Sequence, residues 1–428
     1  MLMTIMEFET HTLKNGMKVL LAPVAGAESV TVMVMSGTGS RYETKEENGM
    51  AHFLEHMLFK GTKNRKTAKL ISEEIDGIGG NFNAFTTKDH TAYYAKADKR
   101  HFDVAFDVVS DIFLNPTLPK GEIERERGTV VEEINMYEDM PARSVIDAAD
   151  LTLFGANHPL GRTILGPKTN IKSFTRTQFI EYFNRNYVAE NSALCVAGAF
   201  SKTKVLKEAE RVFKNMRTGN APTFVPYVHI QDAPRVDIKY KKTDQTHLVL
   251  SVPSYALHHP HEAVPEVLAA ILGGGMSSRL FLEVRERRGL AYYVRAENEQ
   301  YADTGSFYMR AGVSNPSVVD AVSVTLKELQ KITKTLVSPA ELKKAKEYVK
   351  GTAALSLDTT DARAQYIGYT ALVQGKKGGL QAFNRQIDAV TPKQIRDAAR
   401  ELFTTNNLNL TIIGPHKNTE ELLKLLKV

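Results

Sequence analysis

The chain contains no tryptophan and a single cysteine, Cys195. One thiol excludes an intrachain disulfide framework and any metal cage built on cysteine. Cys195 lies in the apolar run "ALCVAGAF", so it reads as a core residue rather than a nucleophile. No stretch approaches the roughly 18 uninterrupted apolar residues that a membrane-spanning helix needs. Dense Lys/Arg runs with interleaved aromatics are also missing. "KADKR" (96–100) and "RERR" (285–288) are short and mixed with acids, as solvated helix faces are. Neither nucleic acid nor membrane is therefore an expected partner. The start holds Met1, Met3 and Met6 but also Glu7, Glu9 and Lys14. It has neither the basic-then-apolar layout of a secretory leader nor the Arg-rich, acid-free layout of a transit peptide. The expectation is a soluble, cytoplasmic protein.

What is present is ordinary for a globular chain. The 428 residues are 43% hydrophobic and 24% charged, with a net charge of +6, which excludes disorder and allows large cores. Length alone suggests roughly three domains of about 150 residues, but the internal pattern suggests two. Asn15-Gly16 marks a turn ahead of strands at Val19–Leu21 and Val30–Val34. Helices are expected at 48–62, 67–80 and 101–116, a strand pair at 81–97, and a long acidic helix at 119–140. Residues 216–235 carry three prolines and no periodicity, as a linker does. After them a related order recurs. "GSFYMRAGVSNPSVVDAVSVTLKELQKI" follows the strand-to-helix step of "TAYYAKADKRHFDVAFDVVSDIFL", and "SPAELKKAKEYVKGTAAL" follows "PKGEIERERGTVVEEI", each about 220 residues later. The expectation is an α+β protein of two structurally similar domains related by internal duplication. These are residues 1–215, a linker at 216–235, and a second domain at 236–428.

The sharpest motif is His52-Phe53-Leu54-Glu55-His56. On a helix, positions i and i+4 lie about 40° apart, so both imidazoles can reach one cation. Histidine is a preferred zinc ligand, and Glu55 is suited to act as general base on a metal-bound water. The order His-x-x-Glu-His inverts the more familiar zinc motif. A catalytic zinc takes three protein ligands. With no cysteine available, the third must be His, Asp or Glu, and the acidic helix offers Glu122, Glu124, Glu126, Glu132, Glu133 and Glu138. Glu126 and Glu133, seven apart, share a face, whereas Glu132 is turned about 100° from Glu133.

"GMAHFLEHMLFKGT", with "GSRYE" (39–43) and "NAFTTKDHTAYY" (83–94), resembles the pitrilysin (insulinase) family of inverted-motif zinc peptidases. That family includes insulin-degrading enzyme and the mitochondrial processing peptidase, and the resemblance covers most of the chain. It implies a metalloendopeptidase with one Zn²⁺ per chain held by His52, His56 and Glu133. Glu55 is then the base and Glu126 a supporting carboxylate behind the ligands. It further implies that Asn83, Ala84 and Phe85 lie on a strand that holds the substrate backbone by adding it as one more strand. Arg285 and Tyr292, seven apart, stand where peptide-cleaving members carry an oxyanion-stabilising pair. The second half lacks the zinc motif. Opposite Glu126 and Glu133 its repeat has residues near Ala345 and Thr352, not carboxylates. "LGGGMSSR" (272–279) reads as a turn into a helix, and "HHPH" (258–261) as a solvent loop.

Full-length family members enclose substrate between two halves of two domains each, and this chain matches one such half. The resemblance therefore implies a dimeric chamber that admits short or unfolded peptides. A homodimer is expected, because the zinc motif and the Arg-Tyr pair are both present. The alternatives are one half of a heterodimeric processing peptidase, paired with a related chain, or a non-catalytic structural subunit.

Overall fold

The computed structural model describes residues 8–428. The chain forms two compact units, each drawn from separate stretches of sequence. One comprises the chain up to Asn135, Thr163–Val225 and Ala354–Ala382. The other comprises Met136–Arg162, Pro226–Ala353 and Phe383–Val428. Among the described residues no helix is long and apolar enough to cross a membrane.

In the first half of the sequence, strands β1 (Glu9–Thr12), β2 (Lys18–Pro23) and β3 (Ser29–Ser36) precede helices α1 (Met50–Leu58) and α2 (Ala68–Asp76). The hairpin β4 (Asn81–Thr86) and β5 (Thr91–Asp98) follows, then α3 (Phe102–Leu114), α4 (Lys120–Glu138) and α5 (Pro141–Phe154). Helices α6 (Lys168–Ser173) and α7 (Arg176–Asn186), strand β6 (Ser192–Gly198) and helix α8 (Lys202–Phe213) complete it. The Asn15-Gly16 turn forms as its residues dictate: Gly16 takes φ +89°, and the Asn15 side chain accepts from the Met17 backbone N–H.

No helix or strand lies between Phe213 and Arg235. Beyond it come β7 (Arg235–Tyr240), β8 (Gln245–Ser254), α9 (Val264–Ala269), β9 (Ala291–Gln300), β10 (Gly305–Ser314), α10 (Val318–Lys334) and α11 (Pro339–Leu355). Then come α12 (Thr360–Gly368), α13 (Leu380–Ala389), α14 (Pro392–Leu402), β11 (Asn409–Gly414) and α15 (Thr419–Leu425). The first sheet runs β1-β2-β6-β3-β5-β4 and the second β7-β11-β8-β10-β9. Apart from β1, the two orders are the same. Each sheet has one parallel pair at the same place, β2 with β6 and β7 with β11, and is otherwise antiparallel. Even the capping boxes repeat: Thr175 with Gln178 opens α7, and Thr391 with Gln394 opens α14, each just before the strand that inserts into the sheet. The α+β duplication is therefore realised strand for strand.

The pleat divides each strand between two cores. In the first unit Val19, Leu21, Val30, Val32, Val34, Leu194 and Val196 face a core shared with α1, α3 and α7. The alternate residues Leu20, Ala22, Met33, Met35, Ala193, Cys195 and Ala197 face Ala364 and Ile367 of α12. Small residues let the helix lie close: a Cβ on Gly368 would meet Cys195 Sγ at 2.9 Å. The buried thiol is pushed well above its ordinary pKa by desolvation, which suits a packing role. In the second unit the corresponding outer face, at Val249, Tyr308 and Ile413, packs against Val145 and Ala149 of α5. So α5 belongs to the second unit and α12 to the first.

His90 closes the β4–β5 turn. Its Nδ1 pairs with Thr87 Oγ1 at 2.9 Å, and its ring lies against Phe85 and Tyr369. Burial pulls its pKa down to about 4. The unfolded value is about 6.5, so between the two only the unfolded chain takes up this proton. The stability is therefore full above pH ~6.5 and is lost, by up to about 3 kcal/mol, as pH falls toward 4. His90→Phe keeps the ring packing. It should flatten the pH dependence of the denaturant midpoint in that window, and an unchanged slope would contradict the buried neutral imidazole.

Candidate metal centre

Helix α1 is pinned at its first turn. Gly49 takes φ +100°, and a Cβ there would meet the Leu165 carbonyl oxygen at 2.6 Å. The Glu43 carboxylate accepts from the backbone N–H of Gly49 (3.0 Å) and Ala51 (2.7 Å) and from Asn48 Nδ2 (3.1 Å). An acid at this end also favours the helix dipole. Phe53, Leu54, Met57 and Leu58 bury the opposite side in the core. His52, Glu55 and His56 are thereby left on the remaining face. Helix α4 is held by Ile123, Val130 and Ile134, and it presents Glu126 and Glu133 two turns apart.

These residues meet. His52 Nε2 lies 3.5 Å from Glu133 Oε2, and His56 Nε2 lies 3.4 Å from the same oxygen. One donor atom from each of the three residues falls within 4.8 Å of the others, the one such group of His, Cys, Asp or Glu among the described residues. Separations of 3.4–3.5 Å are long for N–H···O hydrogen bonds, which cluster near 2.9 Å. They match ligands around one tetrahedral ion with bonds of about 2.0–2.1 Å, whose donor atoms stand about 3.4 Å apart. Behind the group, Glu126 Oε1 pairs with His56 Nδ1 at 2.9 Å, which leaves the His56 Nε2 lone pair facing the centre. Glu126 Oε2 pairs with Lys60 Nζ at 2.6 Å.

The electrostatics also call for a cation. Burial lowers the pKa of His56, but Glu126 and Glu133 outweigh it and hold it up at about 9. The neighbouring imidazoles of His52 and His56 keep Glu133 well below the usual carboxylate range. Burial raises the pKa of Glu126, yet His56 and Lys60 bring it below its ordinary value. Glu55 goes the other way: desolvation raises it, against the pull of His52 and of Thr86, whose Oγ1 donates to Glu55 Oε2 at 2.6 Å. With neutral imidazoles, three carboxylates and one ammonium leave a double negative charge, the complement of a divalent ion. The residues present thus fit zinc in donor type, spacing and charge.

Asn83, Ala84 and Phe85 lie on β4, an edge of the first sheet that pairs, among the described residues, with β5 alone. Asn83 Oδ1 accepts from the Ala84 N–H. Arg285 and Tyr292 belong to the second unit. The Arg285 guanidinium stands 4.8 Å from the Phe281 ring and 5.7 Å from the Tyr292 ring, and Tyr292 is 74% exposed. No carboxylate pairs with Arg285 among the described residues. The "HHPH" histidines form no metal group; His259 stacks on Tyr255 at 4.0 Å. Aligned from their first residues, α9 and the turn after it put Glu266, Ala269 and Ala270 where α1 has His52, Glu55 and His56. Thr86, Lys60 and Glu43 fall within the quoted family-like segments, yet their residue types and spacing alone give none of them a role.

A mixed sheet whose edge strand flanks a His₂Glu cluster with an adjacent carboxylate is a frame able to hold a catalytic metal. Residues 18–168 match the family described as insulinase (peptidase family M16), and residues 173–349 match the peptidase M16 inactive domain. The chain belongs to the M16 family. It is 36% identical over 411 residues to an uncharacterized zinc protease of Bacillus subtilis (strain 168), covering 95% of this chain and 98% of that one. It is 33% identical over 415 residues to another of Streptomyces coelicolor, covering 96% and 90%. The crystal structure of a protease from Helicobacter pylori superposes with a TM-score of 0.88 at 25% identity, covering 96% of this chain and all of that one. A peptidase M16 inactive domain from Pseudomonas fluorescens shares the fold, with a TM-score of 0.87 at 20% identity over 96% and 98% of the two chains.

Two outcomes follow from the geometry. His52→Ala should leave the purified protein with far less than one zinc per chain by elemental analysis; full retention would mean that the ion binds elsewhere. Thr86→Val should keep its zinc and lower kcat by about 10–100-fold, since a hydrogen bond to a charged group contributes about 1.5–3 kcal/mol. Unchanged turnover would show that Glu55 is positioned without it.

Proposed function

We propose that the protein is a zinc endopeptidase, with one ion on His52, His56 and Glu133, that hydrolyses short or unfolded peptides in a chamber closed by two copies of the chain. The carrying observation is the spacing of three donor atoms around one point, with Glu55 beside them on the same helix face. When bound, zinc supplies a Lewis acid that makes water a nucleophile near neutral pH. Glu55 takes the proton of the attacking water and passes it to the departing amine. Burial raises its pKa above the ordinary carboxylate value, which makes it a better proton acceptor. Thr86 holds the receiving carboxylate still, and Glu126 holds His56. The free backbone edge at Asn83, Ala84 and Phe85 accepts an extended peptide as an added strand, which makes recognition depend little on side chains.

Arg285 and Tyr292, from this chain or its partner copy, donate to the oxyanion. An unpaired guanidinium and an exposed phenol support that role. We take the duplicated halves of the sequence as 1–215, which carries the zinc ligands, and 236–428, which supplies this pair, joined by the linker 216–235, with α5 and α12 each packing in the unit of the other half.

A quenched fluorescent peptide library, cut by wild type and Glu55→Gln with metal content measured, tests the reading. Loss of a general base costs about 10²–10⁴-fold in turnover. The expected result is that loss with zinc retained, and near-normal turnover in the variant would exclude Glu55 as the base. A wild type that holds zinc but cuts nothing would favour half of a heterodimeric peptidase or a structural subunit.

A further inference from the structure

We propose that Lys60 is a positioning residue of the metal centre. Its ammonium holds Glu126 so that the carboxylate faces His56 Nδ1, and this keeps His56 Nε2 aimed at the ion. The inference rests on His56 being a metal ligand, as proposed above.

Three links carry it. Lys60 Nζ pairs with Glu126 Oε2 at 2.6 Å, the other Glu126 oxygen pairs with His56 Nδ1 at 2.9 Å, and His56 Nε2 lies 3.4 Å from Glu133. Each oxygen of Glu126 thus has a named partner, and the plane of the carboxylate is fixed between them. The Lys60 backbone is fixed too. Its N–H donates to the Met57 carbonyl at 3.1 Å, and Gly61 follows with φ +131°, where a Cβ would meet the Lys66 carbonyl oxygen at 2.7 Å. The Glu126 side chain is 9% exposed and that of Lys60 24%, so this is an enclosed pair rather than a surface one. Without the ammonium, Glu126 is an uncompensated carboxylate beside a cation site. It can then turn away from His56 or swing toward the ion and take the position meant for water. Partners one step behind metal ligands typically change affinity about 10–100-fold when removed.

The test is zinc affinity, measured by competition with a chromogenic chelator on the full-length protein. Lys60→Met should weaken binding about tenfold, and Lys60→Arg should restore most of it. In the Glu126→Gln background, Lys60→Met should cost nothing further, because its effect passes through Glu126. Thermal melts of the metal-free proteins separate a folding defect from a binding one. If Lys60→Met does not fold, Lys60→Gln carries the same expectation. Wild-type affinity in the uncharged variant, or losses that add in the double variant, would overturn the role of Lys60 alone. A wild type that takes up no zinc would instead remove the metal centre on which the role depends.

Discussion

Negative charge gathered at one point inside a protein must be balanced, and much of the first unit is arranged around that requirement. Glu55, Glu126 and Glu133 converge on two imidazoles from two helices. Each acid has a different answer. Glu133 is balanced by the two histidines beside it. Glu126 is balanced by Lys60. Glu55 has the pull of His52 and a hydroxyl from Thr86, yet burial still makes its charge costly. The three acids share a residue type and differ in chemistry because of what surrounds them. Helix α1 can be held against this repulsion because its other side is packed into aromatic and aliphatic core, and because Glu43 closes its N-terminus.

Much of this was legible in the sequence. Alternating β-branched residues at Val30–Val34 give a strand, and His52-x-x-Glu55-His56 gives a half-site on one helix face. The spacing of Glu126 and Glu133 puts them on a common side of α4. Periodicity alone left six acids open as the third ligand, and resemblance to the family reduced them to Glu133. The geometry brings that residue to both imidazoles. The hydroxyl of Thr86 was hidden because a threonine in a strand looks like any other β-former. Lys60 was hidden because α1 ends at Leu58, so its i+4 relation to His56 falls across a turn.

The duplication shows what a scaffold keeps when a site is absent. The second sheet repeats the strand order of the first, and Val267, Leu268, Ile271 and Leu272 are buried as Phe53, Leu54, Met57 and Leu58 are. Packing positions follow the core and tolerate one aliphatic for another. The ligand positions hold Glu266, Ala269 and Ala270 instead, and Ala345 and Thr352 stand where α4 has its acids. The fold therefore does not depend on the ion, and chemistry is a local addition to one of two equivalent frames.

The fate of α5 and α12 could not be read locally. Both look like ordinary amphipathic helices, and nothing in their periodicity says which sheet they cover. Each closes the outer face of the unit otherwise built from the opposite half of the sequence. The exchange is reciprocal: each half of the sequence contributes one helix to the unit built mainly from the other. Severing the chain at the linker would therefore not release two folding domains. Each fragment would carry away a helix with nothing to cover and leave a sheet with one bare apolar face, a surface prone to pairing with its own kind. Each half of the sequence completes the packing of the unit built mainly from the other.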